Sequence, residues 1–178
     1  DPTMAFAGGR MRVALVTWHI PIREVPQAIS RSKLVRTIRH AAILARATAD
    51  LNEPRIGVCG LNPHAGENGV LQNEFPGLSE CLPADTLFLR HLEGEFDVVV
   101  ALYHDQGLGP MKTVDFDSAV NVTLGLPFVR TSPDHGTAFA LAGHREASPQ
   151  SFTNAVRLAK LLITHREEAG DSQSTELE

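Results

Sequence analysis

The chain has 178 residues, 43% of them hydrophobic, which suits one compact domain or two small ones with a substantial core and excludes general disorder. Sixteen Lys and Arg against 21 Asp and Glu give a net charge of -5, which offers no basic field for nucleic acid. The longest charge-free stretch, Ser118 to Val129, is far shorter than the ~20 residues a membrane-spanning helix needs. Asp1 to Gly9 has neither the basic start nor the apolar run of a signal peptide, and two cysteines make no disulfide scaffold. The expected setting is a reducing cytoplasm, with neither nucleic acid nor membrane as partner.

Met11 to Thr17 (MRVALVT) predicts a short buried strand ending at Trp18-His19-Ile20-Pro21. From Ser32 to about Leu51, Leu34, Val35, Ile38, Ala42, Ala45 and Ala49 recur at three and four residues, the pattern of an amphipathic helix, with Ser30 or Ser32 as candidate cap. Pro54 blocks its continuation, and Arg55 to Gly60 (RIGVCG) predicts a second strand that runs into a loop over Leu61 to Gly69. Asp85 is a candidate cap for a short helix through Leu92, and Val98 to Tyr103 carries the strongest strand signal, delivering His104-Asp105-Gln106-Gly107. Ala119 to Leu124 predicts a further strand. Ser148 and Pro149 open a helix carrying Phe152, Ala155, Val156, Ala159 and Ile163, and Glu167 to Glu178 reads as a frayed tail. Strands alternating with helices over the first hundred residues predict an α/β fold with mainly parallel strands, whose ligands gather beyond the carboxyl ends of the strands.

Histidine is the side chain most readily recruited for metal binding or proton transfer near neutral pH, and the chain has eight. His19, His64 and His104 each follow a predicted strand, too far apart in sequence for helical or hairpin spacing to unite them. Two readings stand open: three imidazoles around a zinc-like ion with an open position, or three unrelated loop histidines. His40, His91, His144 and His165 lack such contexts and are expected to be solvated. Lys112, Asn121 and Arg130 form a second constellation able to hold a phosphate or carboxylate, although the residues alone favour ordinary surface charge.

Gly60-Leu61-Asn62-Pro63-His64-Ala65-Gly66-Glu67, Leu82 to Phe88, Tyr103 to Gly107 and Val120 to Ser132, followed by Asp134-His135-Gly136-Thr137-Ala138, resemble in order the motifs of the 4-hydroxythreonine-4-phosphate dehydrogenase family of vitamin B6 biosynthesis. The similarity runs from about Met11 to Ile163. It implies a three-layer α/β/α fold of the isocitrate and isopropylmalate dehydrogenase kind, here incomplete. It also implies a homodimer whose interface holds a divalent metal (Zn, Mg or Co) on histidines matching His19, His64 and His104. The family's substrate-holding residues match Lys112, Asn121 and Arg130. Asp134, His135, Gly136 and Thr137 match the loop that cradles the adenosine part of NAD or NADP in the related decarboxylating dehydrogenases. Asp105, Asp85 and Lys112 are the candidates for proton transfer, unless the carboxylates only orient a metal-bound histidine. The organisation implied is a dimerisation and metal-binding part over 1–96, a cofactor- and substrate-binding part over 97–166, and a flexible tail over 167–178.

The implied reaction is NAD-dependent oxidation, with decarboxylation, of the small phosphorylated substrate 4-phosphohydroxythreonine to 3-amino-2-oxopropyl phosphate. A related dehydrogenase for another four-carbon acid phosphate or a dihydrodiol dicarboxylate, a metal-dependent hydrolase, and an inactive remnant are the alternatives. Three departures from the family pattern stand out. Trp18 replaces a small polar residue, and the stretch between Gly69 and Leu82 is shorter by a helix of ~15 residues. The family's N-terminal half, with its phosphate-binding His-Thr pair, has no counterpart, which leaves the strands of Val98 to Leu124 expected to lack neighbours and to expose open edges. A piece of a longer chain and a truncated relative both fit that pattern.

Overall fold

A computed structural model of the chain describes residues 1–67, 81–134, 139, 142–143 and 148–175. The apolar runs form strands β2 (Arg12–Leu15), β3 (Ile56–Val58), β4 (Val98–Ala101) and β5 (Val120–Leu124), joined by β1 (Thr3–Ala7) and β6 (Arg130–Pro133). They make one sheet in the order β3-β4-β2-β1-β5-β6. The parallel pairings are β3 with β4 and β4 with β2, whereas β1 pairs antiparallel with β2 and β5, and β5 with β6. The sheet is therefore mixed, correcting the mainly parallel expectation. The cause is the hairpin at Gly8-Gly9, closed by Gly8 N donating to Met11 O at 2.8 Å, which turns β1 back along β2. β1 also overturns the expectation of missing neighbours, because it occupies one flank of β5 while β6 takes the other, and β4 lies between β3 and β2.

Side chains alternate across a strand, so each strand feeds both faces of the sheet. Ala5, Ala14, Val100 and Val122 point to one face, where α2 (Arg31–Ala49) and α6 (Gln150–Thr175) bury Leu34, Ala41, Leu44, Leu158 and Leu162. Phe6, Val13, Leu15 and Val99 point to the other, covered by Leu87 and Phe88 of α4 (Ala84–Leu92) and by Leu108 and Met111 of α5 (His104–Asp115). Two helical layers around one sheet give the expected three-layer α/β/α architecture. The described residues also form two short helices, α1 (Val25–Ala28) and α3 (His64–Glu67), and α3 places a helical turn where the sequence reads as loop. The Ser30 hydroxyl caps α2 by accepting from Lys33 N at 3.3 Å. Asp85 does not cap α4: Pro83 holds that position, its carbonyl accepting from Thr86 N and Leu87 N, and Asp85 sits in the first turn. There its carboxylate faces the positive end of the helix dipole. α6 stays helical past Glu167, where the pattern predicts fraying.

His91 and His40 are not the solvated side chains the sequence suggests. His91 is 4% exposed; Arg12 N donates to its Nε2 at 3.1 Å, so Nδ1 carries the proton and donates to Phe96 O at 2.7 Å. His40 Nδ1 lies 2.7 Å from Thr3 Oγ1. Burial lowers the pKa of both imidazoles, helped at His40 by Arg36 and the N-terminal amine. With the folded pKa depressed, the unfolded chain binds the extra proton first. Stability should be full above the ordinary histidine value of about 6.5 and decline as the pH falls below it. The His91→Gln variant, compared with wild type in urea unfolding at pH 7.5 and at pH 5, should lose less stability on acidification; an identical loss would remove His91 as a cause.

Candidate functional site

β2 and β4 are parallel neighbours, so their carboxyl ends emerge side by side. They are laced beyond the ladder: Thr17 N and Thr17 Oγ1 donate to Leu102 O at 3.1 and 2.7 Å. Two residues further along each chain segment stand His19 and His104, their ring centroids 5.7 Å apart and their planes inclined by 40°. They face a cleft of about 240 Å³, whose walls include Trp18, Ile22, Tyr103 and Asp105. Trp18, the departure from the family pattern, thus forms part of this wall.

His104 opens α5, and its Nδ1 lies 2.7 Å from Asp105 Oδ1. A carboxylate at that nitrogen holds the Nδ1–H tautomer and leaves Nε2 with its lone pair free for an ion. His19 has φ +52° and His64 φ +52°, with Ala65 at +53°. Such left-handed backbone is uncommon for residues with a side chain and concentrates at functional turns. Two of the three candidate ligands therefore sit on strained backbone.

His64 does not join the pair. Among the described residues no three His, Cys, Asp or Glu side chains are gathered where a metal ion would sit. The pair still fits a borderline divalent ion: two imidazoles, one oriented by a carboxylate, in a partly open cleft. The turn carrying His64 is tied to the cleft from beneath. Gln106 Oε1 accepts from Leu102 N at 2.7 Å and Gln106 Nε2 donates to Gly60 O at 2.9 Å. A Cβ on Gly60 would lie 2.6 Å from Ala65 Cα, so only glycine lets the His64 turn fold this closely onto the strand end.

The second constellation is spread along one face of β5 and β6, with Lys112 at the Asp134 end of β6 and Arg130 at its other end. Cross-strand register places Asn121 opposite Ser132 and Thr123 opposite Arg130, and Arg130 Nη1 donates to Thr123 Oγ1 at 3.0 Å. On the other side Asn121 pairs with Phe6 of β1, which points to the α4–α5 face, so these polar side chains share that face. Lys112 of α5 reaches across to Asp134, Nζ to Oδ2 3.2 Å. Among the described residues Asn121 Oδ1 is buried without a hydrogen-bond partner. Lys112 follows His104 by eight residues, or about 12 Å of helix. None of Lys112, Asn121 and Arg130 lines the histidine cleft itself.

Asp134 is the one described member of the candidate cofactor loop; His135, Gly136 and Thr137 lie outside the described residues. Asp85 is exposed on α4 and takes no part in the cleft. The buried Cys59 thiol is pushed up to about 12, chiefly by desolvation, and so stays protonated and inert. The sequence reading missed Thr17, Leu102 and Gln106; Gln106 alone carried a signal, as a polar residue two places after a candidate ligand.

Comparison with known proteins adds an independent line. The family described as pyridoxal phosphate biosynthetic protein PdxA matches residues 1–75 and 77–159. A 4-hydroxythreonine-4-phosphate dehydrogenase from Ruegeria sp. (strain TM1040) is 44% identical over 179 residues, covering 92% of this chain and 55% of the relative. The crystal structure of a 4-hydroxythreonine-4-phosphate dehydrogenase from Burkholderia phymatum superposes with a TM-score of 0.76 at 41% identity, covering 91% of this chain and 54% of that one. A terephthalate 1,2-cis-dihydrodiol dehydrogenase from Burkholderia xenovorans LB400 superposes at 0.67 with 27% identity, over 90% of this chain and 56% of that one. The chain thus spans about half the length of the relatives it matches.

Proposed function

Because the chain belongs to the PdxA family of pyridoxal phosphate biosynthesis, we propose that it serves NAD- or NADP-dependent oxidation, with decarboxylation, of 4-phosphohydroxythreonine to 3-amino-2-oxopropyl phosphate. The observation that carries this reading is the His19–His104 pair, 5.7 Å apart at the ends of two parallel strands. A homodimer in the bacterial cytoplasm is part of the proposal, with His64 of a second copy completing the ligand set of Zn, Mg or Co. His19 and His104, with a third histidine, would hold a divalent ion that would supply Lewis acidity at the substrate hydroxyl, and the cofactor would supply the hydride acceptor.

The chain's own residues bind and orient. Lys112 and Arg130 present cations to the phosphate or carboxylate, and Asn121 Oδ1, without a partner among the described residues, accepts from a substrate amine or hydroxyl. Lys112, paired with Asp134, is the remaining candidate for proton transfer. The bond from Asp105 to His104 Nδ1 suits orientation better than proton transfer, and Asp85, away from the cleft, suits neither role. Asp134, with His135, Gly136 and Thr137 after it, would meet the adenosine end of the cofactor.

Incubating the chain with NAD and 4-phosphohydroxythreonine should produce NADH and carbon dioxide, cease with a chelator, and resume on adding metal. Metal-independent water addition to an ester, or no NADH at all, would reject the proposal. Arg130→Met should raise KM for the phosphorylated substrate roughly tenfold to a hundredfold, the worth of one charged hydrogen bond, with a smaller change in kcat. The likeness to a dihydrodiol dehydrogenase, together with Trp18 in the cleft wall, favours one second reading, a dihydrodiol dicarboxylate substrate. A side-by-side assay of both substrates separates the two.

A further inference from the structure

We infer that Gln106 is a positioning residue that fixes the His64 turn against the His19–His104 cleft; the metal consequence rests on the reading above. The two backbone groups of one residue, Leu102, and one side-chain amide connect all three histidine-bearing segments. The Leu102 carbonyl takes both Thr17 donors, two residues before His19. The Leu102 N–H donates to Gln106 Oε1 at 2.7 Å, two residues after His104. Gln106 Nε2 then donates to Gly60 O at 2.9 Å, and Gly60 carries the His64 turn by its close approach to Ala65. The amide uses its acceptor on one strand end and its donor on the other, a division of roles that carboxylate and aliphatic side chains cannot reproduce.

The link matters because the His64 backbone is itself strained, at φ +52°, and a turn of that kind persists only where its surroundings hold it. In a two-fold dimer each copy lends a pair of imidazoles to one centre and the third imidazole to the other. Both centres then form only if the offset between pair and turn is constant within each chain. Gln106 sets that offset without touching ion or substrate.

The experiment compares wild type with Gln106→Glu and Gln106→Leu. Glutamate keeps the acceptor for Leu102 N–H but sets an ionised oxygen against Gly60 O, so it releases only the His64 side; leucine releases both. Hydrogen exchange should accelerate at residues 60–65 in Gln106→Glu while β4 amides stay protected, and at both places in Gln106→Leu. Calorimetric titration with Co2+ should show affinity reduced about tenfold to a hundredfold in Gln106→Glu, as for loss of other outer-sphere partners. A role confined to general stability would lower Tm in both variants and leave Co2+ affinity intact, overturning the inference. Unchanged exchange at residues 60–65 in Gln106→Glu would overturn it as well. Should wild type take up no Co2+, the metal reading fails by itself, and the exchange data alone decide whether Gln106 holds the turn.

Discussion

His104→Ala is expected to abolish metal-dependent turnover and to weaken Co2+ or Zn2+ binding by well over the ~10–100-fold caused by losing an outer-sphere partner. Asp105→Ala should fall within that smaller range, because it removes only the group that orients the ring. The His104 side chain is 40% exposed and heads its helix, so its removal should leave unfolding nearly unchanged. Calorimetric metal titration beside urea unfolding separates the two effects. A His104→Ala protein that binds metal like wild type would place the site elsewhere.

The second large effect concerns the fold. Asp115, 7% exposed at the end of α5, accepts from Arg10 N at 2.9 Å and Met11 N at 2.8 Å through Oδ2, and from Ser118 Oγ at 3.1 Å through Oδ1. It thereby pins the β1–β2 hairpin, whose first strand joins the parallel part of the sheet to β5 and β6. Alanine would strand the buried Met11 N–H and the part-buried Arg10 N–H, each costing about 1–3 kcal/mol, so we expect a loss of about 2–6 kcal/mol. That is a large share of the roughly 5–15 kcal/mol that a domain possesses. Equilibrium urea unfolding of Asp115→Ala measures it, and a loss below about 1 kcal/mol would show that water replaces the carboxylate. The approach is tight as well: a Cβ on Gly8 would lie 2.5 Å from Asp115 Oδ2, so Gly8→Ala should destabilise through the same contact.

The elements legible in the sequence were those whose periodicity reports burial directly. β4 reads as Val98-Val99-Val100 because both of its faces are covered, and α2 reads from its apolar spacing and Ser30 cap. β1 was invisible: Thr3-Met4-Ala5-Phe6-Ala7 is short and has two alanines, and it is held as a strand by partners distant in sequence, β5 along its whole length and Asp115 and Ser118 at the turn after it. The fate of His91 was hidden because its partners Arg12 N and Phe96 O come from the start of the interior strand β2 and the turn after α4. Strand ends told where His19 and His104 would emerge, and the parallel pairing of β2 with β4 made them neighbours. The bonds that fix them meet at the backbone of Leu102, and a backbone group leaves no signature in the residue that bears it.

Two copies of the chain are proposed to complete a divalent metal centre on the strand-end histidines, and native mass spectrometry of the zinc-loaded chain reads out both the ion and the assembly. We expect a dimer carrying as many metal ions as chains, and loss of those ions in both His19→Ala and His64→Ala. A dimer or monomer that takes up no zinc, or one whose zinc survives both substitutions, would contradict it.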